Sequence, residues 1–211
     1  MEEIPLKELT KKTVFLLALA LAKRVSELQA LSKNVGFGRD GALVSLLSDF
    51  RAKNDNKVKS LLRNFLVKDL VHLVGPEEER KLCPVRALRI YLERTKEFRQ
   101  EQVGNLFLAP KDPSRAASKN AIAYFIKSTI KEAYQDVSEE TMKLCRVAPH
   151  EVRAVGTLLA FEHNLAVDTV LEAAQWRSSS VFTGHYLKEV SIQYQNCKAL
   201  GPIVAGGSII V

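Results

Sequence analysis

The chain has 211 residues, 46% of them hydrophobic, a formal net charge of +7 and a sequence pI near 9.3. This content supports a packed core and excludes a disordered chain, and the length favours one large domain over residues 1–211. The cysteines, at positions 83, 145 and 197, have no CxxC spacing, which excludes a disulfide framework and a zinc site and indicates a reducing compartment. The positive charge favours an anionic partner such as nucleic acid.

The first predicted element is a central core helix that begins after Thr10, its expected N-cap, and runs to about Ala22. Its apolar run over 14–22 is too short to span a bilayer, and the glutamates before it do not suit a secretory signal. We therefore expect a soluble intracellular protein, nuclear or cytoplasmic, with no membrane partner.

A second helical stretch follows in AKRVSELQAL, with Leu28 and Leu31 on the core side. Arg24 lies at the junction of the two helices, where its side chain can leave the core and reach a surface cleft. Taken alone, an ordinary surface arginine is the more common explanation of such a residue.

Residues 35–48 combine glycines with a strand-like ALVSLLS, and residues 51–63 carry five positive charges and one negative charge. This pattern predicts a basic β-hairpin with its tip at 54–56 and its return strand in 61–67. Such a hairpin suits contact with phosphates, and a solvated turn is the alternative. The side chains that we expect to bind DNA here are Arg51, Lys57 and Lys59.

The middle of the chain predicts a polar linker over 75–81 and a helix that begins near Pro84 and buries Val85, Leu88 and Tyr91. A short strand is expected at 106–108. A loop containing Pro110, Pro113 and Ser114 follows, and then a helix from Lys119 to about Ala133 that is capped by Ser118. The predicted core face of this last helix consists of Ala123, Phe125, Ile126 and Ile130.

Pro149 is expected to start a helix on which His150, Arg153 and Thr157 share one stripe, away from an apolar face formed by Val152, Val155, Leu159 and Ala160. A further helix is predicted from Val167 to Gln175. Trp176 ends that helix, and a last helix over about 179–190 carries Tyr186. Phe182 is assigned to the core, and the apolar tail, about 191–211, is expected to pack on this molecule or on a neighbour.

These residue types fit the transfer of a phosphoryl group to a tyrosine. Two arginines can each donate paired hydrogen bonds to the non-bridging oxygens of a phosphodiester and stabilise charge that builds in the transition state. A tyrosine hydroxyl needs help to lose its proton, which His150 can provide, and a hairpin lysine can protonate the leaving 5′ oxygen. The sequence contains no Walker loop, acidic metal cluster or zinc signature, so neither metal nor other cofactor is expected.

The pieces AKRVSELQAL, LCPVRALRIYLERT, PHEVRAV and AAQWRSSSVFTGHYLKEV, in this order, resemble the catalytic domain of tyrosine recombinases, the phage-integrase type, and most closely those of DIRS-type retrotransposons. The resemblance covers most of the chain and implies a mainly α fold with a small antiparallel β-sheet (α+β). It also implies strand cleavage and rejoining in double-stranded DNA through a covalent 3′-phosphotyrosyl intermediate, by a homo-oligomer, typically a tetramer, in site-specific recombination or retrotransposon integration.

The resemblance assigns roles to individual residues. Arg24 matches the first catalytic arginine, Glu27 an acidic residue that supports it, and His150 and Arg153 the His-x-x-Arg pair. Trp176 falls where relatives have His or Trp and positions the phosphate, and Tyr186 is the nucleophile. The lysine that acts as general acid is Lys53, with Lys57 as the second candidate.

The sequence departs from the family pattern in two ways. The interval from Trp176 to Tyr186 is ten residues, whereas many bacterial relatives have nine, and Tyr194 is a conceivable substitute nucleophile. We also expect no part of these 211 residues to correspond to the N-terminal DNA-binding domain of the family. Two alternatives therefore remain beside an active recombinase, namely a catalytically silent transposon-derived protein that only binds DNA and a type IB topoisomerase.

Overall fold

The computed structural model describes residues 4–51, 64–71, 73–135, 148–162 and 166–174, and the chain divides into two compact units, Met1–Arg153 and Ala154–Val211. The helices are α1 Leu6–Leu21, α2 Val25–Gln29, α3 Pro76–Leu82, α4 Pro84–Thr95, α5 Lys119–Ala133, α6 Pro149–Glu162 and α7 Val167–Ala173. The strands are β1 Gly36–Gly38, β2 Gly41–Ser45, β3 Asn64–Lys68, β4 Leu108–Ala109 and β5 Asp112–Ala116. The predicted fold class, mainly α with a small antiparallel β-sheet, is confirmed.

Helix α1 is the centre of the first unit and packs against α4 and α5. Its Leu9, Val14 and Leu17 are fully buried, which confirms the predicted core helix. The predicted N-cap is wrong, because the helix begins at Leu6 and the Thr10 hydroxyl donates a hydrogen bond to the Leu6 carbonyl at 2.7 Å. A threonine can bond one turn back within a helix as readily as it can cap one, so its presence did not mark the boundary.

Strands β1, β2 and β3 form an antiparallel sheet in that order. The pairing of β2 with β3 confirms the expected return strand where it is described, from Asn64 onward, and residues 52–63 lie outside the described part of the chain. Gly41 begins β2 with a φ of 143°, and a Cβ placed on it would lie 2.0 Å from the Val67 carbonyl oxygen. The sheet therefore requires glycine at this position.

We expect Gly41→Ala to lower the free energy of unfolding by more than about 2 kcal/mol, because the new methyl group meets backbone and the φ value is strained. Gly38→Ala is the matched control, since a Cβ there has no atom within 4 Å. Urea denaturation of both variants checks this difference. Equal stability of the two would contradict the close approach of β2 to β3.

The linker predicted over 75–81 is wrong, because helix α3 begins at Pro76 within it and continues to Leu82. The sequence carries the signals of a helix: Pro76 occupies the first turn, three glutamates follow it, and Arg80 and Lys81 lie in the last turn. The helix was missed because its residues are polar and show no apolar face, since α3 buries only the side chain of Glu79.

Helix α4 begins at Pro84 and buries Val85, Leu88 and Tyr91, as predicted. Ser118 caps α5, its hydroxyl accepting the Ala121 N–H at 3.1 Å, and α5 has the predicted bounds. On the predicted core face of α5, Phe125 and Ile126 are buried, whereas Ala123 and Ile130 are half-buried; Ile122, which was not predicted, is also buried.

The segment predicted as a loop, 110–114, is instead the turn and second strand of a hairpin. Pro113 and Ser114 lie in β5, which pairs antiparallel with β4. Proline is tolerated there because a two-stranded sheet leaves one side of each strand free of ladder hydrogen bonds.

The second unit contains α6 from Ala154 onward and α7. Val170 on α7 and Ala174, directly after it, are buried. The predicted last helix, its Phe182 and the tail lie outside the described residues. None of the described helices is long and apolar enough to cross a membrane.

Candidate active site around Glu27

The site begins at a sharp break between α1 and α2. Ala22 ends α1 with a left-handed φ of 49°, and its N–H donates to the Ala18 carbonyl at 3.1 Å. A residue with a Cβ rarely adopts this conformation. Lys23 and Arg24 follow this break directly and precede α2.

Glu27 organises the start of α2. Its carboxylate oxygen Oε2 accepts the backbone N–H of Arg24 at 2.8 Å, which satisfies one of the free N–H groups of the new helix. Glu27 is nevertheless only 1% exposed, so this carboxylate lies inside the protein. A buried carboxylate requires positive partners, and two arginines provide them.

The guanidinium groups of Arg24 and Arg153 converge on the same oxygen. The Nη1 atom of Arg24 lies 3.8 Å from Glu27 Oε2, and that of Arg153 lies 3.6 Å from it. The side chain of Arg24 is 33% exposed and that of Arg153 is 5% exposed. Residues more than a hundred positions apart in the sequence thus share one carboxylate, with one guanidinium open to solvent and the other buried.

Lys23 adds a third cation that the sequence patterns did not single out. Its side chain is buried, at 3% exposure, and its Nζ lies 3.9 Å from the centroid of the Phe65 ring on β3. Burial lowers the pKa of Lys23 to about 8, Glu27 acts to raise it, and the charges of Arg153 and Arg24 lower it further. The only sequence signal of this residue is its place beside Arg24 at the helix junction.

His150 and Arg153 do not share one environment, which corrects the predicted common stripe. The His150 side chain is 65% exposed, with Nε2 3.3 Å from Glu151 Oε1, whereas Arg153 is buried. Arg153 turns inward because its partner, Glu27, is buried. Val155, predicted to lie on the apolar face, is 47% exposed, and Thr157 is buried with its hydroxyl donating to the Ala154 carbonyl.

A separate group of possible metal ligands consists of Asp69, Glu79 and Cys83, whose ligand atoms all lie within 4.8 Å of one another. Arg86 already binds Glu79, with its Nε 2.8 and 2.9 Å from the two carboxylate oxygens. Burial raises the pKa of the Cys83 thiol, which donates to Asp69 at 3.5 Å. The Arg86 guanidinium already occupies the Glu79 carboxylate, and the Cys83 thiol keeps the proton that a metal ligand must lose. This group is therefore a structural contact between α3 and α4 rather than a metal site.

The remaining predicted site residues are distributed as follows. Arg51 is exposed at the end of a described stretch. The other members lie outside the described residues, so their placement stays a prediction: Lys53, Lys57, Lys59, Trp176 and Tyr186.

The fold is similar to that of XerH, a site-specific recombinase whose structure was solved as a post-cleavage complex bound to the palindromic difH substrate. The TM-score is 0.58 and the sequence identity is 15%, over 92% of this chain and 47% of that chain. This chain therefore spans about half the length of XerH, and the likeness shows the fold of a tyrosine recombinase catalytic domain. No family model matches the sequence, and no curated protein matches it.

Proposed function

We propose that this protein cleaves and rejoins DNA strands through a covalent bond between Tyr186 and a 3′ phosphate. The observation that supports this most directly is the meeting of Arg24 and Arg153 on the Glu27 carboxylate. Two guanidinium groups lie beside one buried carboxylate, and a phosphodiester is the ligand that paired guanidinium donors fit best.

The two arginines would act in different ways. Arg24, partly exposed, is the one that can reach a bound phosphate without rearrangement of the core. Arg153, buried beside the same carboxylate, would attract the phosphate from the protein interior. The dielectric constant is low there, so the electrostatic attraction is stronger than in water. Both charges favour the transition state, because negative charge accumulates on the non-bridging oxygens as the tyrosine attacks.

The chemistry balances without a cofactor. The Tyr186 oxygen forms a bond to phosphorus, the bond from phosphorus to the 5′ oxygen breaks, and the leaving oxygen takes a proton. The phenol proton passes to a base, and the exposed imidazole of His150 is free to approach a substrate for this purpose. Lys53 is the proposed acid, with Lys57 as the second candidate. Rejoining is the reverse of these steps, so the ester energy is conserved.

We extend the proposal to the biological reaction. Site-specific recombination by a homotetramer on two duplexes, in a retroelement of the DIRS type, agrees with the order of the sequence motifs and with the tyrosine recombinase fold. Trp176 would position the phosphate, and Arg51, Lys57 and Lys59 would contact the DNA backbone. The exposed position of Arg51 is compatible with that role.

A covalent trap tests the cleavage step. We expect a labelled pool of nicked duplexes with randomised sequence to yield a protein–DNA adduct that survives denaturant, because the nick lets the released strand end diffuse away. Tyr186→Phe should abolish the adduct, and Tyr194→Phe, the matched control, should retain it.

The outcomes separate the alternatives. No adduct from any duplex would overturn the proposal and favour a protein that only binds DNA. Adduct that persists in Tyr186→Phe and disappears in Tyr194→Phe would move the nucleophile. Relaxation of supercoiled DNA by a single protomer, with mass measured on the DNA, would favour a topoisomerase over a recombinase.

A further inference from the structure

An open cavity of about 620 Å³ lies between α1 and α3. The described residues that line it are Lys12 on α1 and Pro76, Glu77, Arg80 and Lys81 on α3. Its volume falls within the range of roughly 300–1,000 Å³ that is typical of small-molecule sites. Three of these five side chains are cations and one is a carboxylate, so the lining favours an anion.

The single carboxylate of this described lining is already paired. Glu77 binds Lys81, one turn further along α3, and both side chains are exposed. Within the described part of the chain, neither Lys12 nor Arg80 has a hydrogen bond or an ion pair. Two cations therefore line the cavity without an acid of their own.

Lys12 is the more confined of these two cations. It is half-buried, whereas Arg80 is exposed, and burial lowers the pKa of Lys12 with no carboxylate to offset it. The preceding residue, Lys11, is instead held by Glu8 and Glu132. A half-buried ammonium without a counter-ion gains more from a bound anion than an exposed one does, because less water screens the attraction.

We propose that this cavity binds a small molecule through a diphosphate group, with Lys12 and Arg80 as its partners on the two walls. Ammonium and guanidinium groups are the side-chain donors best suited to phosphate oxygens. A single phosphate would fill only a small part of the cavity, whereas two linked phosphates can contact both α1 and α3. Lys81 keeps its bond to Glu77 in this arrangement.

The charges around the cavity disfavour a DNA duplex as the occupant. Glu77 lines the cavity, and Glu78, the next residue of α3, is exposed. A duplex carries phosphates at short regular intervals, so one phosphate seated in the cavity would bring others towards these carboxylates. A compact ligand avoids that repulsion.

Calorimetric titration of the whole chain with inorganic pyrophosphate at low salt tests this site. We expect saturable binding that is at least about tenfold tighter than that of inorganic orthophosphate, because pyrophosphate reaches both cations. Lys12→Ala and Arg80→Ala should each weaken pyrophosphate binding by about tenfold or more, since each removes a charge-assisted contact. Lys7→Ala is the matched control, because Lys7 is an exposed lysine of α1 outside the cavity lining, and it should bind as the wild type does.

Glu77→Gln should change the affinity in the opposite direction. It removes the carboxylate from the described lining and frees Lys81, so pyrophosphate should bind about threefold to tenfold more tightly. A gain in affinity cannot come from damaged folding, which keeps the test decisive even if a variant that loses affinity folds poorly. Unchanged or weaker binding by Glu77→Gln would contradict the proposal.

The remaining outcomes identify the site and the source of the phosphate. Absence of saturable pyrophosphate binding, or equal affinity for orthophosphate, would overturn the proposal. Binding that Arg24→Ala abolishes and Lys12→Ala leaves intact would also overturn it, because the anion would then occupy the site at Glu27. A duplex of random sequence should bind Lys12→Ala and the wild type equally, and an equal loss of duplex and pyrophosphate affinity would make the ligand a DNA phosphate. None of these readouts depends on the tyrosine adduct, so the proposed function stands or fails separately.

Discussion

Glu27→Ala should lower the free energy of unfolding by about 3–5 kcal/mol, because it leaves the buried guanidinium of Arg153 without its carboxylate. Glu27 is 1% exposed, and the Arg153 side chain is 5% exposed, so water cannot replace the lost partner. The substitution also removes the acceptor of the Arg24 N–H. Denaturant unfolding at neutral pH measures the loss, and DNA cleavage by the same variant should disappear.

Glu79→Ala is the matched control for this prediction. Glu79 is also a buried glutamate bound to an arginine, but the side chain of its partner, Arg86, is 43% exposed and can be hydrated when the acid is removed. We therefore expect a loss of only about 1–2 kcal/mol and unchanged cleavage. If both substitutions cost the same, the buried pair of Glu27 and Arg153 is not the central contact of the site.

The double variant Glu27→Leu with Arg153→Met separates stability from function. Replacing both members of a buried ion pair with apolar groups is often neutral or stabilising, so most of the lost stability should return. Cleavage should not return, because the phosphate clamp is gone. Recovery of cleavage in this variant would assign the chemistry to other residues.

Much of the fold was predictable because the decisive signals are local. Pro84 and Ser118 lie at the starts of α4 and α5, and the apolar spacing behind them matches the buried faces. Helix α3 was missed for the opposite reason, since it has clear end signals and almost no apolar face. Periodicity detects helices that cover a core, and α3 does not.

Three residues that the sequence assigned to the site lie together in the structure, but their environment was not predictable. Motif order identified Arg24, Glu27 and Arg153, and the structure brings these three together. Helical spacing placed His150 and Arg153 on the same side of one helix, yet the side chain of His150 is exposed and that of Arg153 is buried. The burial of Arg153 depends on its contact with Glu27 elsewhere in the fold, which helical spacing does not reveal. The burial of Lys23 could not be anticipated, since lysine is almost never fully buried without partners that only the tertiary structure supplies.

Arg24→Ala should slow strand cleavage by about 10²–10³-fold while changing the free energy of unfolding by less than about 1 kcal/mol. The two effects separate because the Arg24 side chain is 33% exposed and its Nη1 lies 3.8 Å from Glu27, whereas the structural bond to Glu27 comes from its backbone N–H. Alanine keeps that N–H, so α2 retains its cap. Single-turnover cleavage of saturating nicked duplex measures the rate without the contribution of DNA affinity.

Arg24→Lys and Arg89→Ala complete this test. Lysine keeps a positive charge but not the planar pair of donors, so its rate should lie between those of the wild type and Arg24→Ala. Arg89 is an exposed arginine on α4 that lies over the Phe37 ring, and its loss should leave the cleavage rate within about twofold of wild type. Equal slowing by Arg24→Ala and Arg89→Ala would mean that general positive charge, and not a phosphate clamp at Glu27, drives the reaction. A fully active Arg24→Lys would mean that charge alone suffices at this position, because an ammonium cannot reproduce the two parallel donors of a guanidinium.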